Sequence, residues 1–182
     1  VRSDIRPGQA ARGGTGRHPD GDPLSGVLAS ARRRATRDGD RQVDTAHLLH
    51  SLLEADPCSR EALDAGGPGR VARVLAYLAQ RSIGYGLRWS GMVEDSGAVP
   101  VVRADAGPGW SPAAGAALRL ARERAAARGA DAAEGADLLA AFAADPGCRA
   151  VQVLRAAGVD PVPVAAEAAC DRGYWGDGPV VG

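Results

Sequence analysis

The sequence predicts an all-α fold of eight helices, arranged as two four-helix repeats related by a pseudo-twofold axis. Three observations carry that expectation. Apolar residues return at i, i+3, i+4 and i+7 in block after block, the period of a helix with one buried face. Glycines, Asp-Pro and Ser-Pro punctuate those blocks where helices stop and start. The pattern of the first half also reappears in the second, 90 residues on, as from His47 to Asp137. At 182 residues, with 45% apolar and 24% charged side chains, the chain is long enough to bury a core without covalent or metal staples.

Residues 1–22 are rich in Gly, Arg, Asp and Pro with almost no large apolar groups. Such a segment cannot offset its ordering entropy and is expected to be a flexible arm. The first repeat, 23–81, opens with Asp22-Pro23 as cap and first-turn pair. Its first helix carries Leu24, Val27, Leu28, Ala31 and Ala35 on one face and stops at Asp38-Gly39. A second helix starts after Asp44 or Thr45, carries Leu48, Leu49, Leu52 and Leu53, and ends before Pro57. A short third element covers Ser59–Ala65, and a fourth, Arg70–Gln80, buries Val71, Val74, Leu75 and Leu78.

The segment 82–109 breaks the pattern and reads as an inter-repeat linker, with a β-like run at Val99–Val102. The second repeat, 110–172, begins at Ser111-Pro112, a hydroxyl cap followed by a residue that needs no N–H partner. Its helices carry Leu118, Ala121 and Ala125, then Leu138, Leu139 and Phe142, then Arg149–Ala157, with a last helix near Val162–Asp171. The tail, 173–182, is glycine-rich. Asp44–Leu49 (DTAHLL) aligns on Glu134–Leu139 (EGADLL), and Leu28, Ala31, Ala35, Gly39 and Leu52 fall on Leu118, Ala121, Ala125, Gly129 and Phe142. Ala55–Cys58 (ADPC) answers Ala144–Gly147 (ADPG) after a one-residue slip. Apolar positions and stops agreeing in order describe a duplicated unit.

Composition removes several function classes. Basic and acidic residues balance at 22 each, so no charge excess points to nucleic acid or an anionic membrane. All the basic residues are arginine, which excludes a phosphate-loop lysine or a Schiff-base lysine within this sequence. Aromatics at 4% disfavour a base-stacking surface. No apolar run approaches a membrane span, and none makes a signal peptide. Cys58, Cys148 and Cys170 are few and scattered, which suits reduced thiols and a cytoplasmic location.

The chain resembles the double-repeat N-terminal domain of Clp unfoldases of the ClpC and ClpA type. Trp110–Ala114 (WSPAA) stands for the family's F-T-P-R-A opening of the second repeat, and Val43–Leu49 (VDTAHLL) for its T-E-H run. Gly21-Asp22-Pro23 keeps neither the aromatic nor the threonine of the first opening. The resemblance spans about Leu24 to Asp171 and implies a docking module without the ATPase rings. Clp protease components are implied as partners. In the family, the glutamate of each T-E-H run helps receive the guanidinium of phosphorylated arginine. Ala46 and Ala136 stand at those positions, which implies weak or absent phosphoarginine binding.

The resemblance also places an aromatic at the rim of a groove between the repeats, where cyclic peptide antibiotics dock. On that basis Trp110, Ser111, Val27, Leu28, Leu118, Arg119 and Arg32 are the expected groove residues, with Tyr85, Trp89 and Met92 as a lid. The plain reading of Trp110 is a hydrophobic staple at a helix start, and both readings stand. His47 with Asp44 or Cys58 suggests catalysis, but no local nucleophile and base pair is supplied. A histidine bonded to its own helix start explains it more simply. His47 and His50 have no carboxylate or cysteine at ligand spacing, so neither a metal nor a cofactor is expected. Arg32-Arg33-Arg34 and Arg119, Arg122, Arg124 and Arg128 read as solvated helix faces. The expected function is non-catalytic binding of a peptide or cyclic peptide, by sequestration or as an adaptor in Clp-dependent proteolysis. The alternatives are a small enzyme of secondary metabolism using a polar inter-repeat cleft, and a regulatory subunit joining an unfoldase ring through its arginine faces.

Overall fold

The computed structural model describes residues 22–82, 93–94 and 109–161. Its elements are α1 (Ser25–Asp38), β1 (Gln42–Val43), α2 (Thr45–Ala55), α3 (Pro57–Ala65), α4 (Arg70–Ser82), β2 (Gly109–Trp110), α5 (Pro112–Ala127), α6 (Gly135–Ala143) and α7 (Arg149–Ala156). Among the described residues the fold is all-α apart from the two short strands. The expected last helix, 162–171, lies outside the described residues, as do the run at 99–102 and Tyr85, Trp89 and Met92.

Local chemistry sets the ends of these helices. Asp22 precedes α1, accepting the Leu24 N–H on Oδ1 at 3.0 Å and the Ser25 N–H on its carbonyl at 2.8 Å. α1 ends at Gly39, whose φ of 73° is the left-handed conformation that favours glycine. There the Gly39 and Asp40 N–H groups return to the Thr36 and Ala35 carbonyls. α5 closes in the same way 90 residues later: Gly129 has φ 73°, and the Gly129 and Ala130 N–H groups return to Ala126 and Ala125. Ser111 caps α5 by accepting the Ala114 N–H at 3.0 Å, with Pro112 in the first turn.

α3 starts two residues earlier than its apolar pattern suggested, at Pro57. Asp56 accepts the Ser59 N–H at 3.1 Å and so caps a helix that Pro57 can open without an N–H of its own. The strand pair was not expected from the sequence, because two residues are too few to show alternation. It is parallel, with Gln42 opposite Gly109 and Val43 opposite Trp110, and the Ser111 N–H extends it to the Val43 carbonyl at 2.9 Å.

α1 packs along α2 and α5 along α6, while α2 rests on α7 and α3 on α6. Leu48, Leu49, Leu52, Leu53, Leu138, Leu139 and Phe142 are fully enclosed at the centre. Each such side chain contributes about 1.5–3 kcal/mol through removal from water.

Candidate functional site

Where the starts of α2, α5 and α7 meet, a polar cluster is sealed into the apolar interior. Glu94 is 4% exposed and its carboxylate accepts from four donors. These are the Thr45 N–H (2.9 Å), the Thr45 hydroxyl, the Ser111 hydroxyl (2.7 Å) and the Arg149 N–H (2.7 Å). The Thr45 hydroxyl in turn accepts the Ala150 N–H at 2.9 Å. Cys148, at the N-cap of α7, gives no side-chain cap. Glu94 therefore supplies from outside the helix the acceptor that Asp56 supplies to α3 from within its own sequence. Beside it, Arg149 Nη1 donates to Asp44 Oδ2 at 2.7 Å, and Asp44 Oδ1 accepts the His47 N–H at 2.8 Å. A buried charge pair is kept only when its remaining hydrogen-bonding capacity is met, and this one is built that way.

Among the described residues, three clefts open on the surface around this core. The largest, about 670 Å³, lies between the start of α1, the α2–α3 turn and the start of α6, and includes Leu24, Val27, Pro57 and Ala136. Its charged lining groups, Asp22, Asp56 and Glu134, are all acidic. A second cleft of about 220 Å³ shares Asp22 and Leu24 with it and brings together Leu28, Leu118 and Arg122. A third of about 200 Å³ lies between α5 and α6 and includes Arg119, Leu120 and Phe142.

Helical order, strand register and these clefts define a fold that can be compared with solved structures. The Hsp104 N-terminal domain from Candida albicans matches with a TM-score of 0.63 at 13% sequence identity, covering 84% of this chain and 90% of that one. The fold is that of a Clp-type N-terminal domain. No family model matches the sequence, and no curated protein matches it.

On this Clp N-type fold, the expected groove residues are divided among several surroundings. Leu28 and Leu118 share one cleft, Val27 lines the largest, and Arg119 lines the third while facing Glu123 at 3.7 Å. Trp110 packs against the core, and the Arg32 guanidinium lies over its ring, 4.8 Å from the centroid. Ser111 is buried and capping. Of the two T-E-H positions, Ala46 is fully buried and Ala136 lines the largest cleft.

His47, weighed for catalysis, and Asp137, its counterpart 90 residues on, are held in structural bonds. His47 completes a capping box with Asp44, its Nδ1 accepting the Asp44 N–H at 3.2 Å. Asp137 accepts the Glu134 N–H at 2.9 Å and pairs with Arg128. Burial raises the Cys148 thiol to about 11, so it stays protonated at neutral pH. Cys58 is exposed at the edge of the largest cleft. Burial, and then the Arg34 charge, lower His50 to about 4, which keeps it neutral beside that guanidinium. Glu94 and the Arg149–Asp44 pair line none of the three clefts. Sequence reasoning missed Glu94 altogether. Its one signal was indirect: α7 begins at a cysteine, a poor cap, so an acceptor had to come from elsewhere.

Proposed function

We propose that this chain is a peptide-binding module, built of two repeats about a pseudo-twofold axis, whose ligand lies along the seam between α1 and α5. The observation that carries this reading is the cleft lined jointly by Leu28, Leu118 and Arg122. Leu28 and Leu118 occupy equivalent places in the two repeats, and so do Arg32 and Arg122. At one end of the seam Trp110 stacks on Arg32. At the other, Arg122 lines a cleft with no aromatic among the described residues that line it. An aromatic side chain of the ligand entering there would take against Arg122 the place that Trp110 takes against Arg32.

The larger cleft continues the surface past Asp22 and Leu24, and its carboxylates favour a neutral or cationic peptide over an anionic one. Cyclic peptides suit such a surface because their ordering cost is already met before binding. Sequestration of such a ligand and service as an adaptor both begin with this step. Co-sedimentation with a Clp unfoldase separates the two.

The test is a thermal shift with aromatic-bearing cyclic peptides on the wild type and on Trp110→Ala. Saturation a hundredfold above Kd stabilises the wild type by about 2.7 kcal/mol, and Trp110→Ala should gain clearly less. Absence of any shift in both proteins would remove the proposal.

A further inference from the structure

The turn between α1 and α2 gathers side chains that peptide binding does not use. The left-handed Gly39 reverses the chain after Asp38, so Asp38 and Asp40 both come back to the start of α2. His47 waits there, 3% exposed and held on one edge by Asp44. Its other nitrogen, Nε2, faces the turn, 3.3 Å from Asp40 Oδ2 and 3.9 Å from Asp38 Oδ2. That Nε2 is buried and makes no hydrogen bond, since the near carboxylate lies within range but outside bonding geometry. Donor atoms of Asp40, Asp44 and His47 all fall within 4.8 Å of one another.

From this geometry we infer a divalent transition-metal site, of the kind that takes Zn(II), with His47 Nε2 and the Asp40 carboxylate as its protein ligands, water completing the shell, and Asp38 adding negative charge at its edge. An ion with bonds of about 2.0–2.2 Å in tetrahedral array holds neighbouring donors roughly 3.3–3.6 Å apart. The His47–Asp40 separation of 3.3 Å already has that spacing. Asp38 and Asp40 are partly open to solvent, which leaves an entry path and room for a water ligand. One imidazole with a carboxylate suits Zn(II), Co(II) or Ni(II) better than the all-oxygen cations.

Asp44 supplies the outer support. Its Oδ1 lies 2.7 Å from His47 Nδ1 while Arg149 holds its Oδ2 at the same distance. A metal on Nε2 requires the ring proton on Nδ1, and Asp44 Oδ1 is placed to accept it, the carboxylate–histidine–metal arrangement. Without a metal, Nδ1 accepts the Asp44 backbone N–H instead. The ring thus has a partner for either tautomer. The sequence showed no metal set because these carboxylates are not at ligand spacing along one helix; the Gly39 turn alone brings them together.

The experiment is a Co(II) titration of the untagged full chain followed by visible absorption, with Zn(II) calorimetry alongside. The expected result is one equivalent bound, with d–d bands and no thiolate-to-cobalt charge-transfer band. Asp40→Asn and His47→Gln should each weaken binding by about tenfold or more. His47→Gln keeps an acceptor for the Asp44 N–H and so preserves the capping box; circular dichroism of both variants checks the fold. No stoichiometric binding, a thiolate band, or unchanged affinity in both folded variants would each overturn the site.

Discussion

Glu94 is a buried carboxylate that accepts four hydrogen bonds. Two of its four donors are hydroxyls that themselves accept backbone N–H groups, Thr45 from Ala150 and Ser111 from Ala114. Each hydroxyl proton is thereby directed at the carboxylate, and the chain of bonds is polarised toward the negative charge. Glu94→Gln turns an amide NH₂ toward groups that are all donors. Stability should fall by about 2–4 kcal/mol, measured by urea denaturation. A loss under about 0.5 kcal/mol would show that the cluster is not the tie it is taken to be. Glu94 itself was not legible in the sequence, since it sits in a stretch without periodicity and its partners are 17, 49 and 55 residues away. His47 was legible, because an Asp three residues earlier at a helix start leaves a histidine an obvious local partner.

Among elements, helix starts decide how the pieces fit. Gly135 opens α6 directly against the start of α3. A Cβ there would lie 2.0 Å from Asp56 Oδ2 and 2.4 Å from Ser59 Oγ. Helix propensity alone favours Gly135→Ala by up to about 1 kcal/mol. The contact opposes it, because Asp56 must leave the Ser59 N–H that it caps, and losing a cap costs about 0.5–2 kcal/mol. Thermal denaturation should show a net loss near 1 kcal/mol; a gain would mean that α3 and α6 are less closely seated. Helix identities were readable from apolar spacing and from stops such as Gly39 and Gly129, which depend only on local chemistry. The start of α3 was not, because Asp56-Pro57 reads as the end of α2 rather than also as the cap of α3, and the β1–β2 pair was hidden because it is a contact between segments more than 60 residues apart.

At the scale of the whole molecule, the proposed duplication with unequal ends is the feature that suggests function. Leu28 and Leu118, 90 residues apart in the sequence, meet in one cleft, yet Arg32 is covered by Trp110 while Arg122 lines that cleft with no aromatic among the described residues beside it. The sequence could pair those residues by their spacing, but it could not show that Val27 and Arg119 belong to different clefts. Face assignment between packed helices depends on crossing geometry that spacing does not encode. The most direct measurement is an amide NMR titration of the full chain with an aromatic-bearing cyclic peptide. The account predicts shifts concentrated at Leu24, Leu28, Leu118 and Arg122, with the Trp110 indole N–H moving as the seam fills. Shifts confined to the α5–α6 cleft around Leu120, or none at saturating peptide, would contradict it.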